Sequence, residues 1–282
     1  FMPKIGEGKS PQIHPLVCGG FNADFDGDAM GVWVPSSDDA REEAKNMLPS
    51  KNLFGPKGFQ LMNAPEWGAA YGVWQLTEWG KRTKVRVTSM PEAYALHKKD
   101  ALDIADIISY KGKDTTVGRM ILWEKLPKEY RDGEVGRDVM YGPELTKNKM
   151  MTLLTRIAKE RPDLYPALVD DWKDLGNKYS HEKAWSYGLS DFVSHGDIRD
   201  KHLADADKRI SKIKSATDAD KVRIFGDASA KIRGEVEARL AKGKNNRAYR
   251  MTRQSGAMGS KYSQVEQIII APLQVAKADS TV

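Results

Sequence analysis

The run Asn22-Ala23-Asp24-Phe25-Asp26-Gly27-Asp28, at the centre of a longer stretch from His14 to Val34, sets three carboxylates at alternate positions. In an extended loop alternate side chains project to one side, and Gly27 permits the sharp bend that brings Asp28 round to the other two. Carboxylates held that close repel one another and rise in pKa unless a cation sits among them. A hard divalent ion with oxygen preference stabilises all three as anions, and Mg²⁺ is the natural choice. A calcium loop of the EF-hand type also begins with alternating acids, but it needs glycine at its sixth position and glutamate at its twelfth. Counted from Asp24, those positions hold Ala29 and Pro35, which excludes that loop.

Outward from the acids, short apolar runs between Ile13 and Val34 are broken by Pro15, Gly19, Gly20 and Gly27, the pattern of small strands joined by tight turns. The last strand is expected at Met30 to Val34. These flanks, with Phe25, would stitch the acidic loop into core strands rather than leave it solvated. Ser36 with Asp39 reads as a capping box for a helix running to about Leu48, with Ala40, Ala44 and Met47 on one face. Further on, the pattern predicts a short helix within Pro65 to Thr77, a strand at Val85 to Val87, a helix over Pro91 to His97 and an apolar element from Ile104 to Tyr110. Thr115 to Leu122 is β-branched around Gly118 and reads as the start of a strand, with Arg119 anchoring a neighbouring segment or carboxylate.

From about Glu144 the composition turns to long, charged, Gly-poor segments: Lys147 to Lys159, Pro166 to Lys178, and His202 to Leu240 with a turn near Ser215 to Asp218. In the last of these, Ala204, Ile210 and Ile213 face Val222, Ile224, Ile232, Val236 and Leu240 at helical spacing, as the arms of a helical hairpin would. Arg247, Arg250, Arg253 and Lys261 bracket a turn at Ser255 to Ser260, whose glycines allow a phosphate to approach the backbone.

The totals add bounds. The 282 residues carry 45 basic and 39 acidic side chains, a net charge of +6 that suits a polyanionic partner without demanding one. Cys18 is the only cysteine, which excludes an internal disulfide and a multi-cysteine zinc site. With His14 it falls short of zinc spacing, and both residues read as core packing. No signal-peptide pattern opens the chain, and apolar runs such as Ile268 to Ala271 are far too short to span a bilayer, so the chain reads as soluble and cytoplasmic. Phe1 precedes Met2 and leads straight into Pro and Gly punctuation, as if cut from something longer.

Taken together, His14-Pro-Leu-Val-Cys18 and Phe21-Asn-Ala-Asp-Phe-Asp-Gly-Asp28 resemble the catalytic signature of the largest subunit of multisubunit DNA-directed RNA polymerases, called beta-prime in bacteria. Thr115-Thr-Val-Gly-Arg119-Met-Ile-Leu-Trp123, Ser190-Asp-Phe192 with the charged hairpin after it, and Ser255-Gly-Ala-Met-Gly-Ser260 follow in the family's order, so the resemblance covers essentially the whole chain. It implies an α+β fold: the latter part of a double-psi β-barrel with the catalytic loop over 1–50, a mixed α/β active-site-lining region over 51–143, a helical module over 144–245, and a nucleotide-side, funnel-like segment over 246–282. The hairpin in the helical module sits where the family has the rim of its secondary channel, as a docking rim or as plain scaffold.

By the same resemblance Asp24, Asp26 and Asp28 hold the first Mg²⁺ of a two-ion nucleotidyl transfer to an RNA 3′ end, and a second Mg²⁺ arrives with the nucleoside triphosphate. Asn22 matches the family asparagine near the sugar hydroxyls. The family's triphosphate-associated arginine is replaced by Met258, which leaves Arg253 or Lys261 as its substitute. Ala29 and Trp33 also depart from the pattern, implying a divergent enzyme such as one encoded by a phage or mobile element and working in the host cytoplasm. Implied partners are a beta-like subunit, the remainder of beta-prime, template DNA and nascent RNA. No bridge-helix or trigger-loop sequence is present, so the chain alone is not expected to polymerise. Two other readings stay open: an RNA-dependent RNA polymerase of the two-barrel type, and a non-catalytic interaction module derived from a polymerase.

Overall fold

The computed structural model describes residues 1–55, 60–183, 195–242 and 255–257. The chain divides into two compact units, Phe1–Trp185 and Ser186–Val282.

The first unit is built around a helix that is apolar on nearly every side. In α3 (Trp67–Thr77), residues Ala69 to Trp74, Leu76 and Thr77 are all buried, as a helix without a polar face must be. Its main partner is α9 (Tyr165–Glu182), and the two cross where Gly72 meets Gly176. A Cβ on Gly72 would lie 1.8 Å from the Gly176 carbonyl oxygen, so only glycine admits this approach. Between them in sequence come α5 (Val117–Glu124), the short polar α6 (Lys128–Arg131), α7 (Glu134–Tyr141) and α8 (Lys147–Glu160); the apolar stripes of α5, α7 and α8 close the core with Val117, Met120, Val139, Leu154 and Ile157.

A three-stranded sheet flanks this core in the order β1 (Arg82–Val87), β2 (Ile107–Tyr110), β3 (Lys113–Thr115). Strands β1 and β2 are parallel, joined through α4 (Met90–Lys98), which Ser89 caps by accepting from the Glu92 N–H. Strands β2 and β3 are antiparallel across Lys111-Gly112, whose φ angles of 49° and 78° make the two-residue turn that matches strand twist. The expected strand at Val85 and helix at Pro91 are both present. The strand expected to start at Thr115 is instead a helix start: Thr116 accepts from the Arg119 N–H at 3.2 Å and caps α5, a role its hydroxyl fits better than its β-branching suggests. The anchoring role of Arg119 holds. Fully buried, it donates to the Val139 carbonyl at 2.9 Å and to the Thr77 carbonyl, and its guanidinium lies 4.0 Å from the Trp79 ring centroid.

The N-terminal segment differs most from expectation. Among the described residues of 1–50 there is no strand: a 3₁₀ turn at Pro15–Val17 runs into the short α1 (Cys18–Phe21), and α2 (Asp38–Asn46) follows after an irregular stretch. Met30 to Val34 has no ladder partner, and Val32, Trp33 and Val34 are more than three-quarters exposed. Period-two patterning marks a strand only if a second strand stands beside it, and none does among the described residues. The cap of α2 is Ser37, accepting from Ala40 at 3.2 Å, rather than Ser36. On the face expected to pack, Ala40 and Ala44 are half-buried but Met47 is exposed.

In the second unit α10 (Gly196–Ser211) and α11 (Asp218–Lys242) form the expected antiparallel hairpin. Ile198, Ile232 and Val236 make one buried cluster and Ala206, Ile224 and Ala228 another, with Ile210, Ile213 and Leu240 packed alongside. Ala204 and Val222, expected on that seam, are exposed. The turn at Gly256, with φ of 70°, lies between buried Ser255 and Ala257. Ser190 to Phe192 lie outside the described residues. Helices α8 and α9, expected to share a helical module with the hairpin, fold into the first unit.

Candidate metal centre

The acidic loop is shaped by its own backbone. Asn22 ends α1 in the left-handed region, at φ 49° and ψ 43°, and its N–H donates to the Cys18 and Gly19 carbonyls. Asparagine tolerates that conformation, which turns the chain out of the helix. Asp24 then accepts from the Asp26 N–H at 3.3 Å, and Asp28 reaches back to accept from the Asp24 N–H at 3.0 Å, with Gly27 at φ 125° making the bend. One carboxylate oxygen from each of Asp24, Asp26 and Asp28 lies within 4.8 Å of the others. Among the described residues no lysine, arginine or histidine pairs with any of them.

The electrostatics register the crowding. The Asp26 carboxyl is pushed up, first by a hydrogen bond shared with the Asp24 side chain and then by the charges of Asp24 and Asp28. Asp24 is pulled down by the same shared hydrogen bond. A cation among the three would relieve this contest, and an all-oxygen donor set suits a hard ion rather than a soft one.

Expectation and structure part over the loop's surroundings. All three acids are exposed and so is Phe25, so among the described residues the loop is not stitched into a core. Nor is His14 core packing. Its Nδ1 accepts from the Leu16 N–H at 3.3 Å, and its Nε2 stands 3.0 Å from Lys173 Nζ and 3.5 Å from Asp170 on α9. Cys18 is half-buried. Thus the lead-in to the loop is held against α9, aided by Gly19 and Gly20 lying on Met62 and by Tyr165 donating to the Asn63 carbonyl. No sequence signal exposes the Lys173 contact, because the partners are 159 residues apart and Lys173 reads as a solvated position. Asn22 is exposed two positions before the first ligand. Arg253 and Lys261, with Arg247, Arg250 and Met258, lie outside the described residues.

Comparison with known proteins converges on one family. Residues 1–49 match the family model for RNA polymerase Rpb1, domain 2. A DNA-directed RNA polymerase subunit beta' of Thermosipho melanesiensis is 31% identical over 291 aligned residues, covering 95% of this chain and 17% of that protein. The beta' subunit of Acidothermus cellulolyticus is also 31% identical, covering 95% of this chain and 23% of its own length. That of Acetivibrio thermocellus is 32% identical over 76% of this chain and 20% of its own. The chain therefore spans about a fifth of the length of the curated relatives it matches.

Proposed function

We propose, from the premise that this chain is a homologue of one segment of the bacterial RNA polymerase beta' subunit, that it supplies the metal-binding loop of a DNA-directed RNA polymerase. Asp24, Asp26 and Asp28 hold Mg²⁺. The observation that carries the reading is the convergence of three carboxylate oxygens within 4.8 Å, with no cationic side chain beside them among the described residues. When bound, the ion supplies charge stabilisation to phosphoryl oxygens and lowers the pKa of an attacking hydroxyl, and a second Mg²⁺ comes with the nucleoside triphosphate.

The chain's own residues bind and orient. Asn22, held at the end of α1, presents a donor and an acceptor to the ribose hydroxyls and so favours ribonucleotides. Arg253 or Lys261 neutralises the triphosphate in place of the arginine that Met258 replaces. Exposed Phe25, Val32, Trp33 and Val34 are covered by strands from other segments, which with residues 1–50 complete a double-psi β-barrel. The enzyme works on template DNA and nascent RNA in the cytoplasm, as one segment of an assembly that includes a beta-like subunit. The names of the relatives favour a DNA template over the RNA-dependent alternative. No helix among the described residues is long and apolar enough to cross a membrane.

Metal binding tests this reading without requiring turnover. Mn²⁺, used as a paramagnetic stand-in for Mg²⁺, should bind the full chain and be competed by Mg²⁺. Asp24→Asn, Asp26→Asn and Asp28→Asn should each weaken it at least tenfold, since losing a direct ligand charge costs no less than losing a group that merely orients a ligand, about 10–100-fold. Unchanged binding in all three variants would reject the triad as the ligand set.

A further inference from the structure

We propose that the solvent face of the three-stranded sheet binds the phosphate backbone of duplex DNA, independently of base sequence. The face is carried by β1, an edge strand, in which Arg82, Lys84 and Arg86 are exposed while Val87 is buried and Thr83 and Val85 are half-buried. The register with β2 is irregular between Arg82 and Arg86, yet exposure still alternates along β1, which keeps the three cations on the solvent side, where they can meet phosphates. The register sets Arg86 beside Ser109, and Ser109 beside Asp114 on β3. Asp114 is bound by Arg82 through paired contacts of 3.0 and 2.6 Å. That leaves Lys84 and Arg86 with no ion pair among the described residues. Exposed Lys81 precedes the strand, and exposed Lys111 sits in the turn after Tyr110, the residue paired with Val87.

Charge on an edge strand also deters strand addition, but mixed signs would serve that end equally well, and here the cations outnumber Asp114. An acidic protein surface is the other occupant such charge could attract. Protein interfaces, however, centre on apolar or aromatic anchors. Among the described residues the exposed large apolar side chains are at 1–47, Trp67 and Val222, and none lies on this sheet. A face with cations and no anchor fits a polyanion held by its backbone. The inference rests on the transcription reading only for the choice of DNA as the polyanion.

The test is duplex DNA binding by the full chain as a function of salt, in the Asp26→Ala background as well as wild type, so that a failure of the metal site and a failure of this surface are told apart. Lys84→Glu/Arg86→Glu should bind DNA at least tenfold more weakly at low salt. The slope of log affinity against log salt should fall by about two, since each phosphate contact contributes about 0.9. Lys231→Glu/Arg233→Glu, an equal charge change on the exposed surface of α11, should leave the slope unchanged. Equal loss in both pairs, an unaltered slope in the first, preferential binding of single-stranded RNA, or displacement of DNA by polyglutamate as readily as by DNA itself would each overturn the proposal. Unchanged thermal unfolding of both variants shows that the loss is one of contact rather than of fold.

Discussion

At the scale of single residues the chemistry of the site is local, which is why it can be read from seven consecutive positions. Asp24, Asp26 and Asp28 converge through two turn hydrogen bonds made inside the loop itself, so no distant contact was needed to anticipate them. Asn22 is as informative. Its φ of 49° suits asparagine or glycine, so Asn22→Gly should keep the loop intact while removing the side chain. In an assembled enzyme that variant should lose at least tenfold of its preference for ribo- over deoxyribonucleotides, measured as a ratio of kcat/KM values, with metal binding unaltered. Arg119 marks what the sequence signals only in part. An anchoring role was legible, but the buried pairing with the Val139 and Thr77 carbonyls was not, because those acceptors are backbone atoms 20 and 42 residues away. Burial pushes the Arg119 guanidinium down to about 10. Replacing it by alanine leaves both carbonyls without their charged donor and should cost about 3 kcal/mol in urea unfolding. Lysine should not restore that loss, since one ammonium cannot reproduce the planar fork.

At the scale of elements, helices were legible wherever an apolar period ran long enough, as in α8, α9 and the α10–α11 hairpin, and strands were legible only where a neighbour was close in sequence. Met30 to Val34 shows the limit: its pattern is strand-like, but no strand stands beside it among the described residues to realise it. Glycine gives a sharp contrast between elements. Gly176→Ala would put a Cβ 2.1 Å from the Ala69 carbonyl oxygen and force α3 and α9 apart, costing about 1–3 kcal/mol. On α11 a Cβ at Gly226 or Gly234 meets nothing within 4 Å, so alanine there should stabilise by up to about 1 kcal/mol. Thermal unfolding of the three variants, two rising and one falling, checks the assignment. The hairpin also carries an acid-sensitive latch. Arg239 donates to Asp197 at 2.8 and 2.5 Å, and this holds the Asp197 carboxyl down from 3.8 to about 2. A depressed carboxyl stabilises the fold fully above its unfolded value and loses that contribution as pH falls through its folded one. Hairpin helicity should therefore decline between about pH 4 and 2, and Asp197→Asn should flatten the decline; an identical acid profile would contradict the latch.

At the scale of the whole molecule, the acidic loop is an open corner among the described residues rather than a closed site. The acids and Phe25 are exposed, and Val32, Trp33 and Val34 form an apolar strip without a partner among the described residues. A core that stabilised this region from within would have buried them. What holds the corner is its attachment to the helical core, through His14 at Lys173 and through the Tyr165 bond to Asn63, and neither link was visible in one dimension. The chain spans about a fifth of the length of the relatives it matches. The decisive measurement is Mg²⁺-dependent RNA extension on a primed DNA template by this chain assembled with the remaining polymerase segments, comparing wild type with Asp26→Ala. Extension that is Mg²⁺-dependent in the wild type and at least a hundredfold slower in the variant is the predicted result. Equal extension by both would contradict the assignment of Asp24, Asp26 and Asp28 as the catalytic metal site.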